Sequence, residues 1–204
     1  MATWLVTGAN RGIGLAICQH VSARGDEVIA ACRARSEALD ALEVRVEEGV
    51  DVCDMPSLHA LAERLDGLTL DVLLLNAGIL NSERLDTLNF ESMQRQFDVN
   101  ALGPLRVTSA LLGNLGAGSK VGIVTSRMGS IGDNDSGGAY GYRMSKAAVN
   151  AAGKSLSIDL RAREVAVAIL HPGWVRTNLV KHSAPLWVQN ILLRPFLSLI
   201  GMIE

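Results

Sequence analysis

No charge of either sign dominates this sequence. Its 204 residues carry 19 Lys and Arg against 21 Asp and Glu, a net charge of −2. That balance offers no general attraction to nucleic acid or to an anionic membrane, so any partner must be recognised by a local site. Aromatic residues are scarce at 4%, and only 20% of residues are charged, while 49% are hydrophobic. Such a chain is too apolar to be disordered and can build a substantial core. Cysteine is scarce too: Cys18, Cys32 and Cys53 are odd in number and have no metal-ligand spacing. The expectation is small, buried, reduced thiols in a cytoplasmic protein. No basic segment followed by an apolar stretch precedes Thr3-Trp4-Leu5-Val6-Thr7, so no signal peptide is expected. Repeats, low-complexity tracts and linkers are missing, and one domain over residues 1–204 fits the usual length of about 150 residues per domain. Metal ligation is not expected either. His20, His59 and His182 lack companions at ligand spacing, and the run Asp133 to Gly138 lacks the length and closing glutamate of a calcium loop.

What is present is an alternation. Short apolar runs at Trp4 to Thr7, Val28 to Cys32, Val72 to Leu75, Val121 to Thr125 and Val165 to Leu170, with a weaker one at Glu48 to Val52, suit strands buried on both faces. Helical spacing fills Gly12 to Arg24, Pro56 to Leu65, Asn89 to Leu112 and Tyr140 to Arg161. The pattern predicts right-handed βαβ units, hence an α/β fold with a doubly wound, Rossmann-like parallel sheet. The tail, residues 183–204, is atypical. Leu186 to Ile203 is strongly apolar and near the length of a membrane span of about 20 residues, but Arg194 and Pro195 interrupt its second half. A substrate-covering helix or a subunit contact is expected there rather than a span, with an interfacial membrane helix as the remaining alternative.

The first strand ends in Thr7-Gly8-Ala9-Asn10-Arg11-Gly12-Ile13-Gly14, just before a helix. Glycines allow a tight turn and close backbone approach, and the helix N-terminus favours an anion. The spacing is G-x-x-x-G-x-G rather than G-x-G-x-x-G. The second strand ends Ala30-Ala31-Cys32-Arg33, with no acid to read a ribose 2′-hydroxyl. Arg33 and Arg11 are therefore read as a pair for a 2′-phosphate, against the plain alternative of two solvated arginines. Farther on, Tyr142 and Lys146 stand four residues apart, on one helical face. A phenol with pKa of about 10 needs help to exchange protons at neutral pH, and a nearby ammonium supplies it. Tyr140 has Met144 at the same spacing and so no ammonium. Ser126 directly follows the fifth apolar run, at a strand C-terminal end where open α/β sheets place their sites, and is preferred to Ser130.

In this order, the glycine turn, Asn76-Ala77-Gly78, Asn100, Ser126 and the Tyr142/Lys146 pair resemble the short-chain dehydrogenase/reductase family over about Thr3 to Thr177. The resemblance implies an enzyme that moves hydride between NADP(H), in preference to NAD, and a carbonyl or alcohol of a small molecule. It implies a catalytic tetrad. Ser126 hydrogen-bonds the substrate oxygen, Tyr142 passes the proton, Lys146 binds the nicotinamide ribose and tunes Tyr142, and Asn100 positions a water. The implied cofactor surface comprises Gly8, Asn10, Arg11, Gly12, Ile13, Gly14 and Arg33, then Asp51 and Val52 at the adenine. Asn76, Ala77 and Gly78 follow, then Tyr142 and Lys146, with Pro172, Gly173, Val175 and Thr177 at the nicotinamide end. His171 is expected beside the cofactor. Three stretches, Asn100 to Ser109, Thr125 to Ser130 and Gly138 to Lys146, look like the C-factor branch, which is also similar to sniffer-type carbonyl reductases. C-factor proteins are associated with developmental signalling in bacteria, so a cofactor-binding signalling protein with incidental or lost catalysis is the alternative. Family members continue into a further helix and a seventh strand, for which this sequence has no candidate. Six strands are expected, with the chain cut short or the apolar tail in their place. The helices of Asn100 and Tyr142 are the expected contact of a homodimer.

Overall fold

The computed structural model describes residues 1–173 and, beyond them, the backbone of Val175–Arg176 and Leu186–Trp187. Six strands alternate with helices: β1 (Thr3–Thr7), α1 (Gly12–Ala23), β2 (Glu27–Ala31), α2 (Glu37–Asp40), β3 (Arg45–Glu47), α3 (Met55–Arg64), β4 (Val72–Leu75), α4 (Phe90–Phe97), α5 (Gly103–Ala110), β5 (Lys120–Val124), α6 (Tyr140–Asp159) and β6 (Ala166–Leu170). All neighbours pair in parallel, in the order β3-β2-β1-β4-β5-β6. Among the described residues this sheet has no seventh strand. Val175–Arg176 and Leu186–Trp187 pair separately with each other, also in parallel. Because β1 connects to one side and β4 to the other, the strand order reverses between them, and a crevice opens at their C-terminal ends.

Alternate residues of each strand feed opposite faces. Leu5, Ile29, Leu73 and Ile123 pack with Leu58 and Leu61 of α3, Val107 of α5 and Val149 of α6. Trp4, Val6, Val28 and Leu74 pack with Ile17, Cys18 and Val21 of α1. This two-sided burial explains why the central strands read as unbroken apolar runs.

The third strand corrects the sequence expectation. It lies at Arg45–Glu47, upstream of Glu48 to Val52. Val50 and Val52 are buried in the core beneath the sheet, and Val50 N donates to Cys32 O just beyond the regular ladder. On this edge the carboxylate of Glu47 accepts from Arg45 and Arg64, at 2.8 and 2.6 Å. Burial pushes the Glu47 carboxyl up, and those two guanidiniums more than reverse it, leaving it below its ordinary range. A strand held by ion pairs at a sheet edge has no apolar signature. The short α2, capped by Ser36 accepting from Leu39 N, is also unannounced by periodicity.

The long helix expected from Asn89 to Leu112 is broken into α4 and α5 by a π-helical turn at Asp98–Leu102. Cys18 and Cys32 are buried free thiols as expected, and burial raises the Cys18 thiol to about 12. Cys53 departs from the expectation and is exposed. Among the described residues no helix is long and apolar enough to cross a membrane, and no cluster of potential metal ligands occurs. The expectations for Thr177 and for the apolar tail fall outside the described residues, apart from the backbone of Leu186–Trp187.

Candidate active site

The crevice begins with the turn after β1. Gly8 adopts φ +65°, a left-handed conformation that costs a side chain. Gly14 is required for space: a Cβ there would sit 2.4 Å from Gly8 O and 2.6 Å from Asn76 Nδ2. The same amide of Asn76 donates to Thr7 O and Gly8 O, at 3.0 and 3.2 Å. Thr7 Oγ1 accepts from the backbone N–H groups of Asn76 and Ala77. The segment Asn76 to Gly78 is thereby stitched to the glycine turn across the sheet's crossing point. Thr7 was not singled out by sequence, since its partners lie about 70 positions away. Gly14→Ala is expected to overpack this junction, costing about 2 kcal/mol and lowering Tm by about 6 °C. Thermal melting checks it, and NADPH affinity measured by fluorescence should fall in parallel.

Helix α1 starts at Gly12 with Arg11 as its cap residue, and no side chain caps its first turn. Its N-terminal N–H groups at Gly12, Ile13 and Gly14 are thus available to an anion. Asn10 ties this turn to the loop after β2. Its Nδ2 donates to Ala34 O at 2.9 Å, and its carbonyl accepts from Ser36 Oγ at 2.7 Å. Arg11 and Arg33, each next in sequence to one of these anchors, are brought to the same end of the sheet. Both are exposed, and neither forms a salt bridge among the described residues. Asp51 is half-buried, and its Oδ1 accepts from Cys53 N.

The candidate catalytic side chains meet on the C-terminal side of β5. Ser126 follows that strand and caps a short 3-10 turn, its Oγ accepting from Met128 N at 3.2 Å. Tyr142 is 7% exposed and Lys146 4%. Burial pushes the Tyr142 phenol above its ordinary value, and the nearby Ser126 hydroxyl pulls it partly back. Ser130 is exposed. The Lys146 ammonium lies 5.7 Å from the centre of the Tyr142 ring and donates to Val124 O at 2.9 Å. Burial lowers its pKa from 10.5 to about 8. The spacing of the pair predicts the ammonium as the group that tunes the phenol. The ammonium stands beside the phenol ring rather than in a direct hydrogen bond with its oxygen.

Asn100 lies in the π turn, 1% exposed. Its Oδ1 accepts from Ile79 N, and its Nδ2 donates to Ile79 O and Ser145 Oγ, all within 2.9–3.0 Å. Ser145 in turn donates to Tyr142 O at 2.8 Å. Both amide protons of Asn100 are therefore spent on holding the loop after β4 against α6. Single π turns inside helices occur frequently at functional sites. Ser145 escaped the sequence reading because its role depends on a partner 45 residues away. On the far side of Ser126, the Nδ1 of His171 accepts from Arg127 N at 3.2 Å, and burial with the nearby Arg127 charge lowers the imidazole. Pro172 is buried and Gly173 half-buried just beyond.

The residues present fit a dinucleotide on two structural grounds. The first turn of α1 lacks a cap, and Lys146 satisfies only one of its three ammonium donors among the described residues.

Comparison with known proteins agrees with this arrangement. Residues 2–185 match the short chain dehydrogenase family. The chain is 46% identical over 183 residues to the 1-hydroxy-2-glutathionyl-2-methyl-3-butene dehydrogenase of Rhodococcus sp. strain AD45, covering 89% of this chain and 81% of that protein. It is 52% identical over 125 residues to the C-signal of Myxococcus xanthus, covering 60% of this chain and 75% of that protein. The crystal structure of an NADPH-bound carbonyl reductase from chicken fatty liver superposes with a TM-score of 0.83 at 30% identity, covering 93% of this chain and 87% of the other. With the sheet order, the glycine turn and the buried tyrosine–lysine pair, these matches establish that the chain belongs to the short-chain dehydrogenase family.

Proposed function

We propose that the protein is an NADP(H)-dependent oxidoreductase acting on a carbonyl or alcohol group of a small molecule. The observation that carries this reading is the buried Tyr142 phenol beside Ser126, with the buried Lys146 ammonium 5.7 Å from the centre of its ring. A bound nicotinamide would supply or accept the hydride. The chain's own residues do the rest. Ser126 Oγ orients the substrate oxygen, and Tyr142 Oη transfers a proton to it or takes one from it. Lys146 holds the sugar next to the nicotinamide with the ammonium donors it does not spend on Val124. A phenol with pKa of about 10 carries its proton at neutral pH, so Tyr142 is suited to donate to a carbonyl oxygen and, in the reverse direction, to accept from an alcohol.

Arg11 and Arg33 support NADP(H) over NAD(H), because no acid stands where a ribose hydroxyl would be read. The chicken reductase, which was solved with NADPH, supports the same choice. A charge-assisted hydrogen bond contributes about 1.5–3 kcal/mol, so Arg33→Ala should lower kcat/KM for NADPH by about 10- to 150-fold and leave NADH nearly unchanged. Steady-state kinetics with both cofactors check it, and a wild-type preference for NADH would remove the phosphate reading.

The overall reading is tested by NADPH oxidation across a panel of aldehydes, ketones and quinones. The 52% match to C-signal motivates the competing reading of a signalling protein that holds a cofactor. Cofactor binding without turnover of any panel member would favour that one.

A further inference from the structure

Helix α6, which carries Tyr142 and Lys146, has no cap from its own neighbourhood. Its first flanking residue, Ala139, adopts φ +48° and offers no side-chain acceptor. A non-glycine residue in that region costs on the order of 1–3 kcal/mol and persists only where its surroundings enforce it. The surroundings here come from Glu83, in the loop after β4. The Glu83 carbonyl accepts from Ala139 N at 2.8 Å, and its carboxylate Oε2 accepts from Gly141 N at 3.1 Å. The other carboxylate oxygen accepts from Gln96 Nε2 at 2.6 Å and from Ser92 Oγ at 3.3 Å. Glu83 is 4% exposed and Gln96 fully buried. At Gly141 the helices approach so closely that a Cβ would meet Gln96 Nε2 at 2.6 Å and Met93 Cα at 2.9 Å.

We propose that Glu83 is a positioning residue for Tyr142, supplying from 58 residues away the cap that fixes where the catalytic helix begins. Each group around its carboxylate is a donor, so only an acceptor on both oxygens satisfies the site. The direction of the network is set as well. Gln96 Oε1 is already committed to Asn81 N at 2.9 Å, so Gln96 cannot turn its amide without setting a donor against that N–H. The same loop begins with Asn76 to Gly78. Glu83 thus links the segment stitched to the glycine turn with the first turn of the proton-transfer helix. Tyr142 follows the capped Gly141 directly, so a shift of the helix start moves the phenol relative to Ser126. A misplacement of about 1 Å can cost about a hundredfold in rate.

The activity arm of the test rests on the oxidoreductase reading; a second arm does not. In Glu83→Gln the new amide must face either Gln96 Nε2 or Gly141 N–H with a donor. Its kcat, measured with NADPH and the best aldehyde or ketone of the panel, should fall about 10- to 100-fold. The KM for that substrate should stay within about twofold, as expected when the loss falls on the transition state rather than on binding. The double variant Glu83→Gln/Gln96→Glu reverses donor and acceptor together. It restores the bonds to Asn81 N and Gly141 N and should return kcat to within about threefold of wild type. The chain has only two tyrosines, so ultraviolet titration, with Tyr142→Phe to assign the signal, reads the phenol without any substrate. Tyr142 should titrate above its ordinary value in the wild type, move down toward it in Glu83→Gln, and return in the double variant. Glu83→Asp, which keeps the charge and shortens the reach by one methylene, is the milder variant and is read in the same way. Two results overturn the proposal. One is a single variant with wild-type kcat and an unmoved phenol titration. The other is a double variant that regains the wild-type melting temperature without regaining kcat and the titration. A wild type that turns over nothing would defeat the oxidoreductase reading, while the titration still decides the role of Glu83.

Discussion

Tyr142→Phe is expected to lower kcat about a thousandfold while leaving NADPH affinity within about twofold, since positioned proton transfer contributes 10²–10⁴. The substitution removes one oxygen from a ring that is 7% exposed and leaves the packing volume nearly unchanged. What is lost is the phenol oxygen beside Ser126 and the proton that it carries. The glycine turn, Asn10 and the arginines lie on β1, α1 and the loop after β2, away from the substituted ring, so cofactor affinity should hold. Single-turnover NADPH oxidation and a fluorescence titration of NADPH separate the two effects. Unchanged turnover would exclude Tyr142 as the proton donor.

Lys146→Met should make the protein more stable at pH 7, by about 2 kcal/mol, and inactive. The ammonium is 4% exposed and has one backbone acceptor, so the folded state disfavours its charged form. The fall from 10.5 to about 8 corresponds to about 3 kcal/mol at neutral pH. Losing the bond to Val124 O returns about 1 kcal/mol of that. The pH dependence has a definite sign. Between pH 8 and 10.5 the unfolded lysine holds a proton that the folded one has released, so the penalty present below pH 8 is relieved as pH rises through that window. The advantage of the variant should therefore be full at pH 7 and shrink toward pH 10. Urea unfolding of both proteins at several pH values measures it. Taking the difference cancels the opposing contribution of the cysteines, whose thiols burial raises. A variant less stable than wild type at every pH would mean that Lys146 is not held at a cost.

That Tyr142 and Lys146 share a helical face follows from their spacing alone, because helical periodicity is a local property. The same holds for the glycine turn, which must follow a strand and open a helix, and for the apolar runs that became β1, β2, β4, β5 and β6. The edge strand at Arg45–Glu47 was not legible in this way. Its pairing is fixed by Arg64 and by the ladder to β2, neither of which leaves an apolar pattern. Nor was the π turn, since the stretch from Asn89 to Leu112 reads as continuous helix.

The sequence by itself therefore determined the alternating α/β architecture, the order of the chemical motifs along it and the family resemblance they carry. Tertiary structure decided which of those residues act on one another. It buried Tyr142 and Lys146 side by side, and aimed the Lys146 ammonium at Val124 O. It brought Arg11 and Arg33 to one end of the sheet through Asn10, and set the Glu83 carboxylate at the first turn of α6. The physical reason is range. Backbone periodicity and turn preference act over a few residues and are written locally. A hydrogen bond between residues 24, 45 or 58 positions apart exists only once the sheet and its helices have brought the partners together.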